Sequence, residues 1–247
     1  MMRPAVQMDE AVGERLRSNG FAMIESLCSP AVVAELCEAM GGGRMADSRR
    51  VRGGSTYALR NVLSLVPRVR EVVRSVEVRG LIEPLLGERV AAVRAILFDK
   101  TPDANWKVAW HQDLSIAVKE RVEAAGYGPW SVKAGVAHVQ PPIHVLQEMV
   151  TLRIHLDDCD ETNGPLRVIP GSHAEGALDT KRVEELARTG AQVACTGRAG
   201  SAVLMSPLIL HASSSATTPR RRRVLHVEFA GGDLPGGVEW YERVAVR

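Results

Sequence analysis

Apolar residues in the first part of the chain recur at helical spacing, and glycines and prolines mark where the segments end. Asn19-Gly20 is a helix-ending signal, and Ser29-Pro30 is typical of a helix start. The pattern predicts helices over 9–18, 30–40 and 69–86, the last broken at Gly80 and Pro84, a strand over 21–25 and a loop over 44–56. Helices are therefore expected to flank the fold over about residues 1–88.

Beyond Gly87 the pattern changes to short runs rich in β-branched residues, each bounded by Gly, Pro, Asn or Asp. These runs predict strands over 90–98, 151–156, 166–169, 191–194, 201–205 and 224–229. Because few long helical patterns separate the strands, a parallel sheet is not expected. The pattern favours a mostly β, α+β fold with an antiparallel sandwich or barrel over about 89–230.

The segment 117–143 has no clean period and contains Gly126, Gly128, Pro129 and Pro141-Pro142. Irregular segments of this length within a domain are usually functional lids or disordered. We therefore interpret this one as a lid that closes over a substrate. No repeat or linker interrupts the sequence, so residues 1–247 are expected to form one domain.

Composition narrows the class of protein. The 247 residues are 45% hydrophobic and carry a net charge of +2, which gives little attraction to nucleic acid or to membranes. Aromatic residues make up only 4%, too few for a platform that stacks bases. The sequence has no long apolar run, no signal peptide and no C-x-x-C pair among its four cysteines. These features predict a cytoplasmic protein with reduced thiols that acts on a small molecule.

Of the seven histidines, His111 is the most informative, because Asp113 follows it at i+2. On an extended chain these two side chains point to the same face and can bind one metal ion. With His211 they make up two histidines and one carboxylate, the facial triad of non-haem Fe(II) oxygenases. An H-x-D pair alone, however, is more often accidental than metal-binding.

Further motifs follow in a fixed order: Asn163-Gly164-Pro165-Leu166, Pro170-Gly171-Ser172-His173, His211-Ala212-Ser213 and Arg220–Arg223. This order resembles the phytanoyl-CoA dioxygenase family of Fe(II)- and 2-oxoglutarate-dependent oxygenases over roughly residues 90–230. The resemblance implies a double-stranded β-helix, the jelly-roll or cupin-like core, with helices packed outside. It also implies Fe(II), 2-oxoglutarate and O2 as cofactor and co-substrates.

The resemblance assigns His111, Asp113 and His211 to the metal. It assigns Arg222, eleven residues after His211, to the far carboxylate of 2-oxoglutarate, which a guanidinium can bind through two parallel hydrogen bonds. The alternative for Arg220–Arg223 is a solvated basic turn. Strand alternation separates Arg222, which shares a face with His226, from its neighbours Arg221 and Arg223, which point the other way.

Other hydroxyl and imidazole groups are weaker candidates. Ser213 and Thr151 resemble positions that also contact 2-oxoglutarate in the family. The alternative for each is that it is an ordinary strand residue with no contact to the co-substrate. His173 belongs to a motif that is a structural turn in the family and is not expected to bind metal. His138 and His144 are expected to be exposed loop residues.

Alternation along the strands also suggests substrate contacts. The candidates are Arg94, Phe98, Arg153 and His226, with Arg60 as a weaker one. Arginines at inward strand positions could bind an anionic group, and the alternative is an internal ion pair with Asp157 or Asp158. Trp106, Lys107 and Trp110 are expected to pack beside the metal motif, with Lys107 as an optional site residue.

The sequence thus predicts a dioxygenase that hydroxylates an unactivated C–H bond of a small metabolite, either neutral or anionic. Desaturation, ring closure and epimerisation use the same triad and stay open. One rival is a non-catalytic, cupin-like metal-binding protein, which would not need a carboxylate anchor at Arg222. A second is a zinc hydrolase, which lacks an obvious Glu base beside the H-x-D motif.

Overall fold

The computed structural model describes residues 10–41, 49–52 and 55–247. Its helices are α1 (Glu10–Asn19), α2 (Pro30–Gly41), α3 (Val62–Leu65), α4 (Pro67–Val73), α5 (Val76–Leu86), α6 (Ile143–Gln147) and α7 (Thr180–Thr189). Its strands are β1 (Phe21–Ile24), β2 (Arg49–Arg52), β3 (Ser55–Arg60), β4 (Ala91–Lys100), β5 (Val108–His111), β6 (Ile116–Val118), β7 (Trp130–Lys133), β8 (Val136–Val139), β9 (Met149–His155), β10 (Leu166–Val168), β11 (Val193–Cys195), β12 (Ala202–Met205), β13 (His211–Ser213), β14 (Arg222–Ala230) and β15 (Val244–Ala245).

Three antiparallel sheets organise these strands. An eight-stranded sheet has the order β1-β12-β9-β14-β4-β3-β2, with β15 paired to β4, and a four-stranded sheet has the order β11-β10-β13-β5. A three-stranded sheet, β6-β8-β7, stands apart from both. The antiparallel pairing and the flanking helices confirm the predicted α+β class.

One face of the eight-stranded sheet is apolar, because the side chains along each strand point alternately to the two faces and the apolar ones share a face. Along β14, Leu225, Val227 and Phe229 are buried in a core cluster with the helices, which contribute Leu36 of α2 and Leu81 of α5. Burying these side chains on one face is the main stabilising contribution to this layer. The alternate residues of β14 point to the opposite face, where the functional site lies.

The break in the predicted 69–86 helix lies elsewhere than expected. Helix α4 ends before Ser75, whose side-chain oxygen accepts a hydrogen bond from the backbone N–H of Val78 at 3.3 Å and so caps α5. Helix α5 then runs through both Gly80 and Pro84. The predicted break at those two residues is therefore wrong.

Two predicted loops contain strands. The loop over 44–56 includes β2 and the start of β3, while 44–48 and 53–54 lie outside the described residues. The irregular segment 117–143 contains the end of β6 and all of β7 and β8. Strands this short are stabilised by pairing with neighbouring strands, and the hydrophobic pattern within one segment does not reveal that pairing. The sequence analysis also missed α7, a polar helix capped by Asp179.

None of the helices in the described part of the chain is long and apolar enough to cross a membrane.

Candidate iron and 2-oxoglutarate site

The two histidines of the predicted triad lie on neighbouring strands of the four-stranded sheet. His111 ends β5, and the register of β5 with β13 places it directly opposite His211. The two imidazole ring centroids are 4.2 Å apart. Asp113 follows the end of β5, where its backbone N–H donates to the carbonyl of Pro207 at 2.9 Å. The structure thus brings the three residues together from two strand ends.

Backbone carbonyls orient both imidazole rings. Nδ1 of His111 lies 2.8 Å from the carbonyl oxygen of Ala109, and Nδ1 of His211 lies 2.9 Å from that of Ile209. Each Nδ1 must donate its proton to the carbonyl, which leaves Nε2 with a free lone pair. These Nε2 atoms lie 3.8 Å and 3.6 Å from the carboxylate oxygens of Asp113.

The charge states at this point suit a divalent metal ion. One ligand atom from each of the three residues lies within 4.8 Å of the others. Oδ2 of Asp113 is buried and has no hydrogen-bond partner among the described residues, an arrangement that is costly unless a cation binds there. Burial would raise the pKa of Asp113, but His211, His226 and His111 hold it below its usual range. Burial lowers the pKa of His211 to about 4, so its ring is neutral at neutral pH and can bind metal.

The residue between the two ligands of the H-x-D motif fixes their position. The buried Gln112 side chain donates to the carbonyls of Leu208 at 2.6 Å and Gly176 at 2.7 Å, and it accepts from the N–H of Leu178 at 2.8 Å. These bonds join the H-x-D segment to the turn that precedes His211. Gln112 therefore acts as a positioning residue that the sequence analysis did not single out.

The Pro-Gly-Ser-His motif supports the site from behind. Ser172 accepts a hydrogen bond from the N–H of Leu210, adjacent to His211, at 2.8 Å. Nε2 of His173 lies 3.1 Å from the carbonyl of Arg17 in α1, outside the metal-binding group. These contacts agree with the structural role expected for this motif.

The two remaining loop histidines have different outcomes. His144 is exposed on α6, as predicted. His138 is buried on β8, so the prediction of an exposed position is wrong. Burial lowers the pKa of His138 to about 4. The error has the same origin as the misread segment 117–143, in which β8 was not anticipated.

Arg222 is the one member of its arginine run that points into the protein. It is 4% exposed, its Nε has no hydrogen-bond partner, and no described carboxylate pairs with it. Its neighbours all have acidic partners: Arg220 pairs with Asp160, Arg221 with Asp99 and Arg223 with Asp157. A buried, unpaired guanidinium needs an anion. Strand alternation predicted this difference correctly.

Lys100 lies beside Arg222 and was missed by the sequence analysis. The two residues are directly paired between β4 and β14. The Lys100 ammonium donates to the hydroxyl of Ser213 at 3.2 Å and the carbonyl of Ser214 at 2.7 Å, and it lies 5.3 Å from the ring centroid of Trp106. Burial and the Arg222 charge lower its pKa to about 7. Trp106, expected only to pack, also lines the cavity.

Thr151 does not join this group. The β9–β14 register places it opposite Glu228, six strand positions from Arg222. That separation is roughly 20 Å at the rise of a strand, beyond what a five-carbon diacid bound to Arg222 can reach. Thr151 is fully buried and does not line the cavity. We therefore correct its predicted contact with 2-oxoglutarate. His155, which shares a face of β9 with Thr151, is buried and also does not line the cavity.

The predicted substrate contacts Arg94, Phe98, Arg153 and His226 all line one cavity with the triad. Arg153 Nη1 donates to Nδ1 of His226 at 2.8 Å, and Nε2 of His226 donates to Glu228 at 3.3 Å. Arg94 Nη1 donates to the same carboxylate oxygen, Oε1 of Glu228, at 2.9 Å. An ion pair at Arg94 was the alternative reading, but its partner is Glu228 and neither Asp157 nor Asp158. No described carboxylate pairs with Arg153.

Replacing Arg94 with methionine is expected to lower the free energy of unfolding by about 3 kcal/mol, because it leaves the buried Glu228 carboxylate without its cation. Adding Glu228→Gln should recover part of this loss. Urea unfolding of both single variants and the double variant measures the coupling. Lys119→Met, which removes an exposed pair with Glu239, is the control and should leave stability unchanged. An Arg94→Met protein as stable as the wild type would show that the pair contributes nothing.

Comparison with known proteins places the chain in a family. The model of the phytanoyl-CoA dioxygenase family matches residues 16–224. The chain belongs to the phytanoyl-CoA dioxygenase family. The resemblance predicted from its motifs is confirmed, and the match extends beyond the predicted residues 90–230 into the N-terminal helices.

Relatives and solved structures agree with this assignment. An L-proline trans-4-hydroxylase of Streptomyces griseoviridis is 29% identical over 64% of this chain and 61% of its own length. An ectoine dioxygenase of Nocardia farcinica is 24% identical over 85% of this chain and 74% of its own. The structure of EctD from S. alaskensis with 2-oxoglutarate and 5-hydroxyectoine has a TM-score of 0.70 at 21% identity, covering 93% of this chain and 78% of that one. These matches support the iron- and 2-oxoglutarate-dependent oxygenase class.

Proposed function

We propose that this protein is a 2-oxoglutarate-dependent dioxygenase that hydroxylates an unactivated C–H bond of a small molecule. The observation that carries the proposal is one cavity with two complementary ends. At one end, two histidines face a carboxylate that has no hydrogen-bond partner at Oδ2 among the described residues. At the other, a buried arginine has no acidic partner among the described residues. A metal and a diacid together satisfy both.

In this proposal His111, Asp113 and His211 hold Fe(II), and Arg222 binds the far carboxylate of 2-oxoglutarate, with Ser213 and Lys100 beside it. Bound iron supplies the oxidising chemistry, in which O2 converts 2-oxoglutarate to succinate and CO2 while the substrate gains one oxygen atom. The chain orients both molecules and excludes water. The two facing antiparallel sheets around the cavity fit the predicted jelly-roll core within a single domain, and the three-stranded sheet β6-β8-β7 fits the predicted lid.

The cavity limits the size of the substrate. Its volume is about 240 Å³, below the roughly 300–1,000 Å³ typical of pockets for drug-sized ligands. Because 2-oxoglutarate shares this space, the part of the substrate that enters must be small. The relatives named for proline and ectoine support a metabolite of that size. A cytoplasmic location stays a prediction.

The proposal is tested by incubating the Fe(II)-loaded protein with 2-oxoglutarate and a panel of small metabolites that includes L-proline and ectoine. We expect succinate formation, and a product 16 mass units heavier than the substrate for at least one compound. Zn(II), Co(II) and Ni(II) should occupy the same ligands and inhibit. A non-catalytic binding protein would bind metal and form no succinate, and a hydrolase would act in the absence of 2-oxoglutarate.

Binding of 2-oxoglutarate should weaken as pH rises through about 7. Lys100, whose pKa burial and Arg222 lower to about 7, is charged below that pH and neutral above it, and the charged form attracts the diacid. The apparent KM for 2-oxoglutarate is therefore expected to rise between pH 7 and 9. In Lys100→Met it should be raised already at pH 6 and change little with pH. If the KM for 2-oxoglutarate changes with pH in the same way in both proteins, Lys100 does not contribute to binding the co-substrate.

A further inference from the structure

The cavity carries more positive charge than the metal ligands and 2-oxoglutarate use. Among the residues that the structure describes, the basic ones lining it are Arg60, Arg94, Lys100, Lys133, Arg153 and Arg222, and the acidic ones are Asp113 and Glu228. Fe(II) and the two carboxylates of 2-oxoglutarate carry equal and opposite charge, so together they leave this excess of cations over carboxylates in the described lining unchanged. A cluster of like charges at low exposure opposes folding, so an anion is expected to complete it.

Three of these cations lie away from the Arg222 end. Arg60 and Arg94 line the cavity from β3 and β4, and Lys133 lines it from the three-stranded sheet. Burial lowers the pKa of Lys133, and the charges of Arg94 and Arg60 lower it further, while Glu228 and Asp113 raise it. The same three cations lower the pKa of the buried His138. Arg60 pairs with Ile96, two positions along β4 from Arg94, and Arg94 pairs with Glu228, so both arginines lie at the Glu228 end of the cavity that Lys133 also lines.

A tight hairpin holds Lys133 in place. It is the last residue of β7 and pairs with Val136, so that Ala134 and Gly135 form a two-residue turn with φ values of 51° and 75°. Two consecutive positive φ angles are typical of the turn that matches strand twist in such hairpins. The Lys133 ammonium donates to the hydroxyl of Ser115 at 2.7 Å, and no described carboxylate pairs with it. Two of its three N–H groups thus stay available for a ligand.

We propose that Arg60, Arg94 and Lys133 form a second oxyanion site, which binds a carboxylate or phosphate group of the substrate at the end of the cavity opposite Arg222. The inference rests on the proposed function and extends it by naming the substrate class. An anionic group held there places the neighbouring carbon atoms of the substrate between Lys133 and the triad. Lys133 is then a specificity-determining residue contributed by the β6-β8-β7 sheet.

The test uses the Fe(II)-loaded protein under exclusion of O2 and saturated with 2-oxoglutarate, so that the Arg222 end is filled. Thermal unfolding is followed against increasing acetate, inorganic phosphate and, as a neutral analogue of acetate, acetamide. We expect acetate or phosphate to raise the melting temperature in a saturable way and acetamide to have no such effect. The better of the two anions identifies the substrate group as a carboxylate or a phosphate.

Lys133→Met should weaken the binding of that anion about tenfold or more, and Lys133→Arg should retain most of it. Lys119→Met, which removes an exposed lysine next to β6, is the matched control and should bind the anion as the wild type does. Equal anion affinity in Lys133→Met and the wild type would overturn the proposal. So would acetamide binding as well as acetate, or anions that bind only by displacing 2-oxoglutarate.

The wild-type protein without added substrate separates this inference from the proposed function. Slow conversion of 2-oxoglutarate to succinate and CO2 in the presence of O2 and added ascorbate, which reduces the remaining oxygen atom to water, supports the oxygenase assignment, whatever the anions do. If succinate forms neither without substrate nor with any substrate tested, the result counts against the proposed function. Succinate formation with no selective anion binding counts against the oxyanion site alone.

Discussion

Alanine at His211 or at His111 is expected to abolish turnover while the protein stays folded. Each imidazole supplies one of three metal ligands, and losing a ligand from a three-residue set removes most of the metal affinity. Among the described residues, the His211 ring makes one hydrogen bond, to Ile209, so its removal should cost stability no more than about 2 kcal/mol. Iron content, succinate formation and circular dichroism measure the three effects.

His144→Ala is the control for these two variants. His144 is an exposed histidine on α6, outside the metal-binding group, and its removal should change neither iron content nor turnover. The assignment of the triad fails if wild-type protein that has been stripped of iron with a chelator retains full activity. It also fails if either alanine variant binds iron as the wild type does.

Much of the site could be predicted because it depends on local periodicity. The H-x-D spacing places two ligands together at the end of a strand, and the two-residue alternation of β14 separates Arg222 from Arg221 and Arg223. Both are properties of a single extended segment. They need no knowledge of which strands are neighbours.

The errors arise where the register between strands decides the outcome. Thr151 lies on the predicted strand and face, but its pairing with Glu228 puts it at the wrong end for Arg222. Lys100 continues the alternation of Arg94 and Phe98, and it was missed because the strand was ended at residue 98 although β4 continues to Lys100. A longer strand prediction would have found it.

Lys133 was missed, and His138 was wrongly predicted to be exposed, for a different reason. The segment that contains them has no clean period, since β6, β7 and β8 are three or four residues long and gain their stability from pairing with one another. The Ala134-Gly135 turn gave little warning, because alanine seldom adopts a positive φ. Interpreting the segment as a functional loop hid the hairpin that brings Lys133 to the cavity.

Arg222→Ala is expected to raise the KM for 2-oxoglutarate about a hundredfold or more. The buried guanidinium, which has no acidic partner among the described residues, is the natural anchor for a carboxylate in this cavity. Charge-assisted hydrogen bonds contribute about 1.5–3 kcal/mol each, so a two-bond anchor is worth several kcal/mol. Isothermal titration of the Zn(II)-loaded protein with 2-oxoglutarate measures the loss without relying on turnover.

The neighbouring arginines make this prediction selective. Arg221→Ala and Arg223→Ala remove the same charge from the residues on either side of Arg222, but these side chains bind Asp99 and Asp157 on the other face. They should lower stability slightly and leave 2-oxoglutarate binding within about threefold of the wild type, since screening weakens charges that make no direct contact. Equal losses in all three variants would mean that a diffuse basic surface attracts the diacid. A loss confined to Arg222→Ala indicates a direct contact, because all three substitutions remove one positive charge from neighbouring positions and only the Arg222 side chain faces the cavity.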